Sequence, residues 1–175
     1  MEDSLRELIE ALAPTLSTYA FSTDSLVFEE RVRLACFSCA RSGVAWTCPP
    51  RLPDVDFQQT FGEYANGLLV VNRVPFGAAG PEEVRRDSSV TLHRALLKAE
   101  RFLWENNYPL AVSFTGGACK LCADGCDAVG CRQPTLARIP LEATGVNVIM
   151  SAEKAGVKVA FPPSMCLLRI GLLVW

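Results

Sequence analysis

The chain has 175 residues, of which 50% are hydrophobic and 21% are charged, so disorder is excluded and one domain with a sizeable core is feasible. The formal net charge of −2 argues against a dedicated nucleic-acid or anionic-membrane binder, which needs a basic surface. Eight cysteines accompany a single histidine, which excludes metal motifs built on two histidines.

The first part of the chain predicts one helix and one ambiguous segment. Apolar residues recur at helical spacing over residues 5–12, and Pro14 ends this pattern. Ser4 and Glu7 match a capping box at the start of the helix. Residues 26–34 fit a strand or a helix, and their pattern does not separate the two.

The central part predicts a strand–helix–strand unit. A short helix is expected over residues 55–64, followed by a strand over residues 67–74 that is apolar enough to be buried on both faces. The best helix of the chain covers residues 81–105, and alternation over residues 110–115 predicts another strand. This order is that of a βαβ unit.

The last part predicts one helix and two strands. The helix covers residues 146–155 and ends at Gly156, a short strand covers residues 157–161, and an apolar strand covers residues 167–174. We therefore predict a single α/β metal-binding domain over residues 1–175. Its sheet is small, open and mixed or parallel, with a βαβ unit, flanking helices and cysteine-rich loops.

The second of two cysteine groups is the strongest motif. It places four cysteines within a segment of thirteen residues: Cys119, Cys122, Cys126 and Cys131. This spacing is close to that of bacterial ferredoxins, whereas zinc sites more often use two Cys-x₂-Cys pairs set farther apart. Iron–sulfur binding is therefore favoured over zinc. Gly116 and Gly117 precede the group, and their amides are predicted to face the anionic core of the cofactor.

The first group, Cys36, Cys39 and Cys48, offers only three thiols. Three explanations of the missing fourth thiol are open. A fourth ligand comes from elsewhere in the chain, ligands are exchanged between two sites, or one iron keeps an open position for substrate. Cys166 is the first candidate for the fourth ligand, and His93 or a carboxylate is the second. A role for Cys166 as a buried apolar residue fits the sequence equally well.

The expected compartment is the cytoplasm. The acidic start lacks a basic segment followed by a long apolar one, so no signal peptide is predicted. Thiols stay reduced in the cytoplasm, and clustered cysteines there bind metals or react more often than they form disulfides.

The cysteines belong to a longer set of motifs: Cys36-x₂-Cys39, Trp46-x-Cys48-Pro49-Pro50, Gly116-Gly117-x-Cys119-x₂-Cys122, Cys131-Arg132-x-Pro134 and Glu142-Ala143-x-Gly145-Val146-x-Val148. In this order the set resembles the predicted metal-binding proteins grouped as domain of unknown function 2284, from about residue 33 to the end. Members are small cytoplasmic proteins of bacteria and archaea. The resemblance implies metal binding through these cysteines and no particular activity.

The sequence as a whole predicts a cytosolic iron–sulfur protein that transfers electrons to or from a partner enzyme. The second group would hold one [4Fe-4S] cluster, and the first group, with Cys166 as a tentative ligand, a second. The alternatives are a structural zinc-binding module and an enzyme with an open metal site at the first group, for which no catalytic residue can be named. Neither nucleic acid nor membrane is an expected partner, and the oligomeric state, a homo-oligomer included, stays open.

Overall fold

Five helices and four strands form the α/β fold that the sequence predicts. The computed structural model describes residues 1–175. The helices are α1 Glu2–Glu10, α2 Glu30–Phe37, α3 Phe57–Gly62, α4 Arg85–Glu105 and α5 Val148–Lys154. The strands are β1 Leu16–Phe21, β2 Gly67–Pro75, β3 Val112–Phe114 and β4 Cys166–Val174. Short 3-10 turns lie at Thr23–Ser25, Pro81–Val84 and Leu141–Thr144.

The sheet is open, and its strands lie in the order β1-β2-β4-β3. The expected β2–α4–β3 crossover is present, because β2 and β3 both run antiparallel to β4 and so share one direction. However, β4 lies between them, and every neighbouring pair in the sheet is therefore antiparallel rather than parallel. This is a split βαβ arrangement. The central position suits β4 because its last five residues are all buried.

Some local structure differs from the sequence-based expectation. The strand β1 forms where the sequence predicts no element. The sequence does not indicate it because this edge strand is short and its residues do not alternate cleanly between buried and exposed. No strand forms over residues 157–161, which have no regular structure. The capping box at Ser4 is also absent, since α1 begins at Glu2 and its N-cap, Met1, makes no side-chain hydrogen bond.

The core consists of two apolar layers, one on each face of the sheet. Alternate residues of β2 supply both layers, with Leu68 and Val70 on one face and Leu69 and Val71 on the other. The first face packs against α1 and α4. The second packs against residues from α3, α5 and the Leu141–Thr144 turn. The two central strands are therefore buried on both sides, as their composition predicts.

One edge of the sheet collects the chain segments that carry the cysteines. The strand β2 ends at this edge and β4 begins there, because Pro75 lies opposite Cys166 in the ladder, while β3 runs in the same direction as β2 and ends opposite Leu172. The chain leaves β3 directly into the second cysteine group. None of the helices combines the length and the apolar character that crossing a bilayer demands.

Candidate metal centre

The second cysteine group lies in an irregular segment with neither helix nor strand. Its four thiols are partly buried, form no disulfide and line a single cavity of about 280 Å³. Burial raises the pKa of the Cys119 thiol, against a hydrogen bond from the Leu121 backbone, and the charges of the other three thiols raise it further. The four cysteines thus share one cavity.

The chemistry and size of this cavity fit a multi-atom cofactor. Four thiolates are the ligand set of a [4Fe-4S] cluster and of a Cys₄ zinc site alike. A volume of about 280 Å³ greatly exceeds the roughly 15 Å³ that one water-sized group needs. No three or more His, Cys, Asp or Glu side chains are arranged so that they could hold a single metal ion.

Cationic and polar side chains complete the wall of this cavity. Arg41, Lys120 and Arg132 line it beside the thiols. Gln133 donates a hydrogen bond from Nε2 to Sγ of Cys122 at 3.4 Å. Burial lowers the pKa of Lys120, and the positive charges nearby lower it further. Because Arg41 and Lys120 repel each other, they favour negative charge inside the cavity.

Trp46 connects the two cysteine groups. It belongs to the loop of the first group but lines the cavity of the second. Its indole Nε1 donates a hydrogen bond to the carbonyl oxygen of Asp127 at 2.8 Å. The guanidinium of Arg51 lies over its ring, 4.1 Å from the ring centroid. The first loop therefore forms part of the wall around the second group.

The first cysteine group encloses a smaller space. Cys36 lies in the last turn of α2, Cys39 is exposed just beyond the helix, and Cys48 is buried. All three line a cavity of about 40 Å³ together with Glu142. Burial, and then the charge of Glu142, raises the pKa of Cys48 to about 11. The group therefore contains three thiols and one carboxylate.

Glu142 was not identified from the sequence, which left an unnamed carboxylate among the candidates for a fourth ligand. The Leu141–Thr144 turn carries it against α2, and its Oε2 accepts a hydrogen bond from the Gly117 amide at 3.3 Å. Burial raises the pKa of this carboxyl group, against that hydrogen bond and the charges of Arg169 and Lys120. The only signal in the sequence is its place at the start of the last motif of the set.

Cys166 and His93 lie outside both cavities. Cys166 is the first residue of β4, and its Sγ lies 3.8 Å from Nη1 of Arg73. His93 is buried on α4, with Nε2 2.8 Å from the carbonyl oxygen of Leu136. Neither side chain is brought to the first group.

Gly116 and Gly117 also lie outside the two cysteine cavities. A Cβ on Gly116 would lie 2.6 Å from the carbonyl oxygen of Ile170, so this residue permits close contact with β4. Gly117 has a φ of +82°, which favours glycine, and its amide is bound to Glu142. Both glycines line a third cavity, next to the first group.

Comparison with known proteins places this site in a family. The family model described as predicted metal-binding protein (DUF2284) matches residues 19–174, which include all eight cysteines. No curated protein and no solved structure matches the chain. The match supports a metal cofactor in general and does not specify the metal.

Proposed function

The chain belongs to the DUF2284 family of predicted metal-binding proteins, and from this premise we propose that it is a cytosolic iron–sulfur protein. Four cysteines would hold one [4Fe-4S] cluster: Cys119, Cys122, Cys126 and Cys131. The observation that carries this proposal is the single cavity of about 280 Å³ that these four thiols line. When bound, such a cluster supplies one-electron transfer, here to or from a partner protein.

The surroundings of the four thiols support a redox role. A cluster held by thiolates is anionic, and Arg41, Lys120 and Arg132 line the cavity wall. Hydrogen bonds to cluster sulfurs help to set the reduction potential, and Gln133 already donates one to Cys122. Trp46 forms part of the cavity wall, where its ring would shield the cluster from water. These residues would retain the cluster and adjust its potential.

The proposal is tested on protein purified without oxygen, with iron, acid-labile sulfide and zinc measured before and after reconstitution. We expect about four iron and four sulfide per cluster and a visible absorption that dithionite bleaches. Stoichiometric zinc without sulfide after reconstitution would contradict the proposal and favour a structural zinc site.

Matched cysteine variants identify the ligands. We expect Cys122→Ser to lose the cluster of the second group, because the cavity then lacks one of its four thiols. The same change at Cys166, which lies outside this cavity, should leave that cluster's iron content and electron paramagnetic resonance signal unchanged. Equal losses in the two variants would show that the assignment of the ligands is wrong.

A further inference from the structure

A third cavity, of about 600 Å³, lies beside the first cysteine group. We call it the Arg169 cleft and define it by six of its lining residues: Gly117, Glu142, Val146, Phe161, Leu168 and Arg169. Its volume is within the range of small-molecule sites. Glu142 also lines the cavity of the first cysteine group, so the two spaces share one side chain.

The cationic end of the cleft is formed by Arg169, which has no acidic partner. This side chain is half-buried on β4, and its Nη2 donates to the carbonyl oxygen of Arg85 at 3.3 Å. Its Nε contact with Oγ of Ser88 is long, at 3.5 Å. No carboxylate forms an ion pair with it. Guanidinium groups removed from water are normally paired, so this one has unused capacity to bind an anion.

The neighbouring charges do not satisfy this capacity. Arg85 lines the same cleft but already forms an ion pair with Glu82. A Cβ on Gly117 would lie 3.4 Å from Nη1 of Arg169 and 3.9 Å from both Oε1 of Glu142 and Nζ of Lys120, so these groups lie around Gly117, yet Arg169 and Glu142 form no ion pair. Burial, and then the like charge of Arg85, lowers the pKa of Arg169, against the charges of Glu142 and Glu82. A bound anion would offset the repulsion from Arg85 and stabilise the charge of the partly buried guanidinium.

Offsetting the charge of a metal cluster is a different role, and it belongs to other residues. Arg41 and Lys120 line the cavity of the second cysteine group, whereas Arg169 does not. Arg169 faces the cleft instead, together with Gly117 and Glu142. Its side chain thus lines a separate volume.

The rest of the cleft is largely apolar, although Glu29 and Arg31, which pair with each other, also line it. Leu168 forms part of its wall, and Phe161 also lines it with 83% of its surface exposed. Large apolar side chains that line a cleft and face solvent are typical of sites that bind the apolar part of a ligand. The cleft therefore combines one anion-binding end with an apolar wall.

We propose that the Arg169 cleft binds a small organic acid, with its carboxylate or phosphate group on Arg169 and its apolar part along Leu168 and Phe161. This goes beyond the iron–sulfur function and does not depend on it. Arginine binds both kinds of acid group through paired N–H donors. The acid would lie beside Glu142, next to the first cysteine group.

Calorimetry on the full-length protein as purified tests the proposal with hexanoate, hexyl phosphate, acetate and the neutral hexanamide. At least one of the two six-carbon acids should bind at least about tenfold more tightly than hexanamide and than acetate. Comparison of hexanoate with hexyl phosphate then identifies the preferred acid group. Three results would overturn the proposal. The acids and hexanamide could bind equally well, acetate could bind as tightly as hexanoate, or no compound could bind with a Kd below about 10 mM.

Variants locate the binding site. Arg169→Gln should weaken binding of the preferred acid at least about tenfold. Arg73→Gln removes the same charge from an exposed residue that does not line the cleft, and it should leave binding unchanged. Equal effects of the two changes would indicate a general effect of surface charge and contradict the site. Should Arg169→Gln fail to fold, the comparison of acids with hexanamide on the unaltered protein still decides the proposal.

Discussion

Glu100 shows how one buried carboxylate joins three parts of the molecule. It lies on α4 with none of its surface exposed, and its Oε1 accepts hydrogen bonds from the amide and hydroxyl of Ser113 on β3, both at 2.6 Å. It also forms an ion pair with Arg138, which follows the second cysteine group. A buried charge of this kind is retained only with its partners, because an unpaired one is costly.

We expect Glu100→Gln to lower the free energy of unfolding by about 3–5 kcal/mol, since the change leaves the buried side of Arg138 without its carboxylate. Urea denaturation measures the loss. Glu105→Gln is the matched control, because this residue pairs with Arg101 on the exposed face of the same helix. It should cost less than about 1 kcal/mol. Similar losses in both variants would contradict the role of the buried pair.

His93 gives the protein a predictable response to acid. It is buried, and burial lowers its pKa below the ordinary value of 6.5. As the pH falls, the unfolded chain therefore takes up this proton before the folded one does, and stability decreases.

We expect the stability advantage of the unaltered protein over His93→Gln to shrink between about pH 7.5 and pH 5.5, because the variant lacks this titration. Glutamine can still donate a hydrogen bond to the Leu136 carbonyl, which limits structural effects. Urea denaturation at several pH values provides the comparison. A difference that stays constant with pH would mean that His93 does not titrate differently in the folded state.

Among the elements, those with strong local patterns were predictable from the sequence. The boundaries expected for β2, α4 and β4 lie within a few residues of the observed ones. The edge strand β1 was missed because its pattern is short and partly polar. The position of β4 between β2 and β3 depends on pairings between distant segments, which no local pattern specifies.

Gly171 makes this central position of β4 possible. A Cβ there would lie 2.7 Å from Cδ1 of Leu96 on α4 and 2.8 Å from the carbonyl oxygen of Phe114 on β3. We expect Gly171→Ala to destabilise the protein by about 1–3 kcal/mol through overpacking, as measured by thermal and urea denaturation. Gly62→Ala on α3 is the control, because nothing lies within 4 Å of the added atom. Equal tolerance of the two changes would contradict the close packing around β4.

At the scale of the whole molecule, the candidate site was predictable in its parts but not in its assembly. Spacing in the sequence separated the second group from the first, and the second group's thiols do line one cavity. The contributions of Trp46 and Glu142 were not predictable, because each comes from a distant segment and is placed by packing. Cys166 was grouped with the first site only because it was the one remaining thiol.

The two apolar layers of the core contain none of the cysteines, and this separation predicts what metal removal does. We expect chelation to increase amide hydrogen exchange in the irregular segment after β3 and in the loop of the first group. The amides of β2 and β4 should stay protected, because their packing does not involve the metal ligands. This differs from a small zinc domain, which unfolds when its metal is removed. Hydrogen–deuterium exchange with mass spectrometry before and after chelation makes the comparison, and a uniform increase over the whole chain would show that the metal holds the fold together.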